Sequence, residues 1–156
     1  VRARSIGSTV GLVLLAPDLP ARGGTGGRDP KDLDQAWAGT LLAEAPAEDL
    51  LFREGECRFA VLYPCVDRAS AERHAVRLRR LCRDQATGSA VGRGAPVSAG
   101  LVVLPNRLFP AWEEALARAG EALRSAQTLG GDRVCVWEGV REVPEEPDSP
   151  EDREEA

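Results

Sequence analysis

The chain is predicted to fold as an α/β sandwich of the ferredoxin-like or palm type, with a central mixed sheet and flanking helices. Three observations predict it. Strand-like and helix-like segments follow one another in the order strand, helix, strand, strand, helix, strand, helix, strand, and such alternation calls for a sheet covered by helices. The two consecutive strands in the middle are joined by a turn only, which excludes an all-parallel sheet. The length of 156 residues and the apolar content of 43 % suit a single domain with one core.

Each element has its own signal. Residues 10–15 are a continuous apolar run ending at Ala16-Pro17, as expected of a central strand. Residues 18–30 include four glycines and read as a flexible loop. Residues 32–45 place Leu33, Trp37, Leu41 and Leu42 on one helical stripe, bounded by Pro30 and Pro46. Residues 50–53 and 58–63 flank Glu54-Gly55-Glu56-Cys57 and read as a hairpin. Residues 67–82 predict a helix with Ala71, Ala75, Val76, Leu78 and Leu81 inward and its arginines on the wet face. A small-residue loop over 86–94 leads to a strand over 96–104. Residues 111–127 predict a helix with Leu116, Ala119, Ala122, Leu123 and Ala126 inward. Gly130-Gly131 ends it, and 133–137 form the last strand.

The net charge of -5 is unevenly spread. Residues 138–156 hold nine acids and two arginines, whereas the rest holds 18 Lys/Arg against 16 Asp/Glu. The expected division is an extension over 1–9, a domain over 10–138 and an acidic tail over 139–156, disordered from about Glu142. A near-neutral body argues against a nucleic-acid partner. No apolar run is long enough for a membrane span, and no targeting signal is evident, so the cytoplasm is the expected location. Cys57, Cys65, Cys82 and Cys135 lack CxxC spacing and have only His74 for company. Thiols in the fold are expected, not a zinc site.

Several features have plain readings. Gly23-Gly24-Thr25-Gly26-Gly27-Arg28 lacks the lysine and spacing of a phosphate loop. Arg73, Arg77, Arg79, Arg80 and Arg83 read as a solvated face, with Arg73, Arg77 and Arg80 spaced for a partner-facing stripe. His74 is given no catalytic role. Cys57, between Arg53 and Arg58, is a minor candidate for a redox-responsive thiol.

The central segment Phe-Arg-Glu-Gly-Glu-Cys-Arg-Phe-Ala-Val-Leu-Tyr-Pro over 52–64 is the most specific feature. With Gly55-Glu56-Cys57-Arg58-Phe59 in place of Gly-Gly-Asp/Glu-Glu-Phe, it resembles the GGDEF domain, which makes cyclic di-GMP from two GTP molecules. Val97–Pro105 is similar to that family's Ser-Ile-Gly-Val-Ala strand, and 115–137 to its closing segment. The resemblance covers roughly residues 10–137 and implies a nucleotide-cyclase palm with a β-hairpin at a former active site.

In that family the hairpin glycines admit the nucleotide, and carboxylates of the turn and of the first strand bind Mg²⁺. By that resemblance, Gly55 is retained and Glu56 replaces the second glycine. Cys57 replaces the metal carboxylate and Arg58 the following glutamate. A thiol is a poor Mg²⁺ ligand. At the end of the first strand Ala16 replaces the metal-binding aspartate, while Asp18 survives. The asparagine that would read guanine is absent, and Asp29, Asp32 or Asp34 stands near the other guanine-reading position. Gln127 replaces the phosphate-binding lysine and Gly131 the arginine; of the inhibitory Arg-x-x-Asp, only Asp49 remains.

These losses point to a catalytically inactive domain of GGDEF type, acting in bacterial signalling through a protein partner or self-association. It would need no cofactor, and nucleotide binding would be doubtful. The alternatives are an atypical cyclase using Mg²⁺ and GTP, with Asp18, Glu56 and Asp49 rebuilding a carboxylate site, or a nucleotide-binding regulatory module without turnover.

Overall fold

A computed structural model describes residues 9–18, 30–55, 57–87, 96–105, 111–137 and 141–145, without the side chains of 30–32 and 85–87. The expectations for the Gly23–Arg28 loop, Asp29, Glu56 and the tail beyond 145 lie outside the described residues.

The elements are β1 (Thr9–Pro17), α1 (Pro30–Glu44), β2 (Leu50–Gly55), β3 (Arg58–Cys65), α2 (Arg68–Thr87), β4 (Val97–Pro105), α3 (Trp112–Thr128), β5 (Val134–Val136) and β6 (Arg141–Glu142). They form one sheet in the order β2-β3-β1-β4-β5-β6. β1 is central, antiparallel to β3 and β4, and only β4 and β5 run parallel. The sheet is therefore mixed and helix-covered, as the alternation of segments predicts.

Alternate residues divide the core between the two sheet faces. Val13, Leu15, Phe59, Val61, Tyr63, Ala99 and Leu101 face α1 and α2, where they meet Leu33, Trp37, Leu41, Ala75 and Leu78. Leu12, Leu14, Ala16, Ala60 and Val102 face α3 through Ala115, Ala119 and Leu123. Helix α3 lies very close to the sheet at Gly100. A Cβ there would stand 2.1 Å from the Ala119 carbonyl oxygen and 2.3 Å from the Leu123 nitrogen. Only glycine permits this approach.

Local chemistry sets the helix ends. Asp67 caps α2: its carboxylate accepts the Ser70 N–H at 2.8 Å, and Ser70 Oγ accepts the Asp67 N–H at 3.3 Å. This reciprocal pair is a capping box. It lowers the Asp67 pKa, first through the bond from the Ser70 backbone. Glu113 and Glu114 occupy the first turn of α3, where the helix dipole favours negative charge. Gly130 and Gly131 end α3 with φ of 125° and 77°, values that glycine adopts without strain.

Two sequence expectations are corrected. Disorder does not begin at Glu142. Arg141–Glu142 pairs with β5, the Val143 N–H donates to Val134 O at 2.8 Å, and Val143 is buried. The acidic composition hid one apolar anchor and the ion pairs of Arg141, Glu142 and Glu145. Nor is Arg79 on the wet face. It is 2 % exposed and its guanidinium donates to Glu145 Oε2 and Oε1 at 2.9 and 2.7 Å, to Asp132 Oδ1 at 2.6 Å and to Val97 O at 3.0 Å. Burial opposes its charge, but Glu145 and Asp132 more than offset this and raise its pKa above the ordinary arginine value.

Candidate functional site

The strand register decides which candidate residues can meet. Leu15 pairs with Phe59 and Thr9 with Cys65. The end of β1, with Ala16 and Asp18, therefore lies at the same end of the sheet as the turn between Gly55 and Arg58. Asp49 precedes β2, whose Leu50 pairs with Leu62. Six residues of strand, roughly 20 Å, separate it from that turn. Asp49 cannot join Asp18 in one carboxylate site, which corrects that part of the atypical-cyclase alternative.

The turn is built tightly. Gly55 pairs with Arg58 after a register shift in β2, and Cys57 has φ of 57°. A left-handed backbone costs a non-glycine residue about 1–2 kcal/mol. The Cys57 N–H is held at 2.9 Å by Asp34 Oδ1, and the same carboxylate holds Arg53 Nη1 at 2.9 Å through Oδ2. Arg53 also lies 5.4 Å from the centre of the Phe59 ring. Of the three aspartates placed near a guanine-reading position, Asp34 is thus buried and engaged within the protein. Its role has no local signature, because its partners are 19 and 23 residues away.

Cys57 is 4 % exposed and packs into the core on the α1 and α2 side. Arg58 lies on the other face, where its Nη2 would be 3.8 Å from a Cβ on Gly120 of α3. Burial of Cys57, and the engagement of Arg53 by Asp34, do not favour the redox-responsive thiol. Phe59 packs against Trp37, with ring centres 6.4 Å apart.

Ala16 is buried against α3. The Asp18 carboxylate accepts the Ser98 hydroxyl at 2.8 Å and the Asp132 N–H at 2.7 Å. Its backbone N–H donates to Pro96 O at 2.8 Å. Gly131 sits against this carboxylate, and a Cβ there would come within 2.7 Å of Asp18 Oδ2. Asp18 therefore ties the end of β1 to the start of β4 and the α3–β5 turn. Gln127 is exposed on the last turn of α3.

At the opposite end, Asp49 Oδ2 lies 2.6 Å from His74 Nε2 of α2, with the Asp49 side chain only 4 % exposed. The His74 ring meets Tyr63 edge-on at 4.4 Å, and the Tyr63 hydroxyl donates to Ala71 O at 2.7 Å. Burial raises the Tyr63 pKa well above its usual value. His74, Asp34 and Arg79 are the residues whose roles sequence reading missed. The i-to-j partners that define them are all remote in the chain.

Among the described residues no cluster of three or more His, Cys, Asp or Glu side chains is arranged to hold a metal ion. None of the four cysteines forms a disulfide. No described helix is long and apolar enough to cross a membrane.

Comparison with known proteins is informative at the level of structure alone. No family model and no curated protein matches the chain. Solved structures do. The GGDEF domain of DgcB from Caulobacter crescentus, in complex with c-di-GMP, superposes with a TM-score of 0.64 at 19 % identity, over 87 % of this chain and 83 % of that one. The active GGEEF domain of a diguanylate cyclase from Vibrio cholerae gives 0.62 at 15 % identity, over 87 % of each chain. The FimX GGDEF domain from Pseudomonas aeruginosa gives 0.60 at 18 % identity, over 85 % and 84 %. The sheet order, the central hairpin and these superpositions together give the chain the fold of a GGDEF domain.

Proposed function

We propose that the chain is a catalytically inactive GGDEF-like domain that acts in signalling by binding a protein, either a partner or a second copy of itself. The observation that carries the reading is the donor set where the hairpin meets the end of β1. Ala16 offers a methyl group, Cys57 a buried thiol and Arg58 a guanidinium. Mg²⁺ requires hard oxygen ligands, so these residues do not fit the metal pair that the fold family uses. Asp18, the surviving carboxylate, already accepts bonds from Ser98 and Asp132. Asp34 is likewise committed to Arg53 and the Cys57 N–H.

The same logic applies to product inhibition. Asp49 is closed off by His74 at 2.6 Å, and the arginine expected three residues earlier is Pro46. A protein partner has a precedent in fold: a diguanylate cyclase, SiaD of Pseudomonas aeruginosa, has been solved in complex with its activator SiaC, with a TM-score of 0.57 over 86 % of this chain and 52 % of that one. Without metal-bound triphosphate, the transition state for phosphoryl transfer lacks its main charge stabilisation.

The test is incubation of the purified chain with GTP and Mg²⁺, followed by chromatography for c-di-GMP. No product above a protein-free control is expected. Sustained turnover would overturn the proposal. Calorimetric titration with GTP, run with and without Mg²⁺, and with c-di-GMP accompanies it; the reading expects no saturable heat that depends on Mg²⁺ from GTP, and none from c-di-GMP, whose phosphodiesters carry one charge each.

A further inference from the structure

Gly120 sits in the middle of α3, buried although it has no side chain. What covers it is unusual. The nearest atoms to the position a Cβ would take are Arg58 Nη2 at 3.8 Å, Arg124 Nη1 at 3.9 Å and Leu14 Cδ1 at 4.0 Å. Two guanidinium groups from different elements therefore converge on one bare stretch of helix. Arg58 comes from β3 and Arg124 from the next turn of α3.

Neither arginine has a carboxylate within ion-pair distance among the described residues. The described carboxylates nearby are occupied elsewhere. Glu121 accepts the Trp137 indole N–H at 2.9 Å, and Glu114 pairs with Arg118, whose guanidinium lies over the Trp137 ring. Both guanidinium groups reach within 4 Å of one point, so their charges repel, and an apolar neighbour such as Leu14 reduces their screening. An anion lying between them removes the repulsion and gains charge-assisted hydrogen bonds from both.

We infer that Arg58 and Arg124, on either side of Gly120, form a binding site for a phosphate-bearing small molecule. The guanidinium fork matches the oxygen geometry of phosphate, and two positive charges match a dianion. Gly120 supplies the space, since any larger residue would project between the guanidinium groups. The site needs no metal ion and goes beyond the proposed function: c-di-GMP turnover and Mg²⁺-dependent GTP binding test that function, whereas binding in EDTA tests this site.

The probe is inorganic pyrophosphate, titrated calorimetrically into the whole chain in the presence of EDTA at constant ionic strength. The expected result is saturable binding with one site per chain. Arg124→Gln, at an exposed position, should weaken it at least tenfold, as should Arg58→Gln. Gly120→Asp has room for its Cβ and places a carboxylate between the arginines. It should abolish pyrophosphate binding and raise the thermal midpoint of the free protein. Arg77→Gln, on α2 at the other face of the sheet, should change nothing. Absence of binding, or equal binding by the parent and Arg124→Gln, would overturn the inference. So would equal weakening by Arg77→Gln, which would indicate general charge attraction.

Discussion

Glu145→Ala should loosen the last described segment and lower stability measurably. Glu145 supplies two of the four hydrogen bonds made by the buried Arg79 guanidinium. A hydrogen bond to a charged group contributes about 1.5–3 kcal/mol. The Glu145 side chain is 16 % exposed and Asp132 remains to balance the charge. Water can therefore replace part of what is lost, and the net cost should be about 2–3 kcal/mol. For a domain of this size that corresponds to a fall in thermal midpoint of roughly 5–10 °C. The matched control is Glu72→Ala, which breaks the pair with Arg141, itself 47 % exposed. An exposed pair contributes under about 1 kcal/mol, so its midpoint should fall by no more than roughly 3 °C. Scanning calorimetry gives the midpoints, and amide hydrogen exchange gives the local effect. The Val143 amide, bonded to Val134 O at 2.8 Å, should lose protection in Glu145→Ala more than the central β1 amides do. Equal midpoints for the parent and Glu145→Ala, with unchanged exchange at Val143, would refute the view that Arg79 holds this segment.

Three further outcomes are expected. Gly100→Ala would drive a methyl group into the α3 backbone and should cost about 3 kcal/mol. Gly39→Ala in α1, where nothing lies within 4 Å, should instead stabilise by about 0.5–1 kcal/mol; equal midpoints for the two variants would contradict the packing described. His74→Ala leaves the buried Asp49 carboxylate without its partner and should cost about 2 kcal/mol, read as a lower urea midpoint; an unchanged midpoint would show that the contact contributes nothing. Burial pushes the Cys65 thiol up to about 11 and the Cys82 thiol up to about 12. Both folded values lie above the unfolded one, so the folded chain retains these protons longer. The associated stability is fully present below the ordinary thiol range and is lost as pH rises through about 11 and 12. Denaturation across that range should show a fall in stability that is smaller in Cys82→Ala, and a thiol reagent at neutral pH should leave Cys82 unlabelled in the folded protein.

The order and kind of the elements were legible from the residues alone. The apolar run before Ala16-Pro17, the stripe of Leu33, Trp37 and Leu41, and the inward alanines of α3 each depend on neighbours a few residues away. Local periodicity is enough to reveal such elements. The turn at 55–58 was also visible, because the residues that depart from the GGDEF pattern lie next to one another. How the charged residues are used emerged from the folded chain. Arg79 looks like its solvated neighbours in sequence, yet it is buried by carboxylates 53 and 66 residues away. Asp34 and Cys57, Asp49 and His74, and Asp18 and Asp132 are likewise joined across long stretches of chain. The convergence of Arg58 and Arg124 on Gly120 arises only when β3 and α3 pack on the same sheet face. A hydrophobic stripe reflects the helix or strand that carries it, whereas an ion pair depends on which two elements the fold brings together.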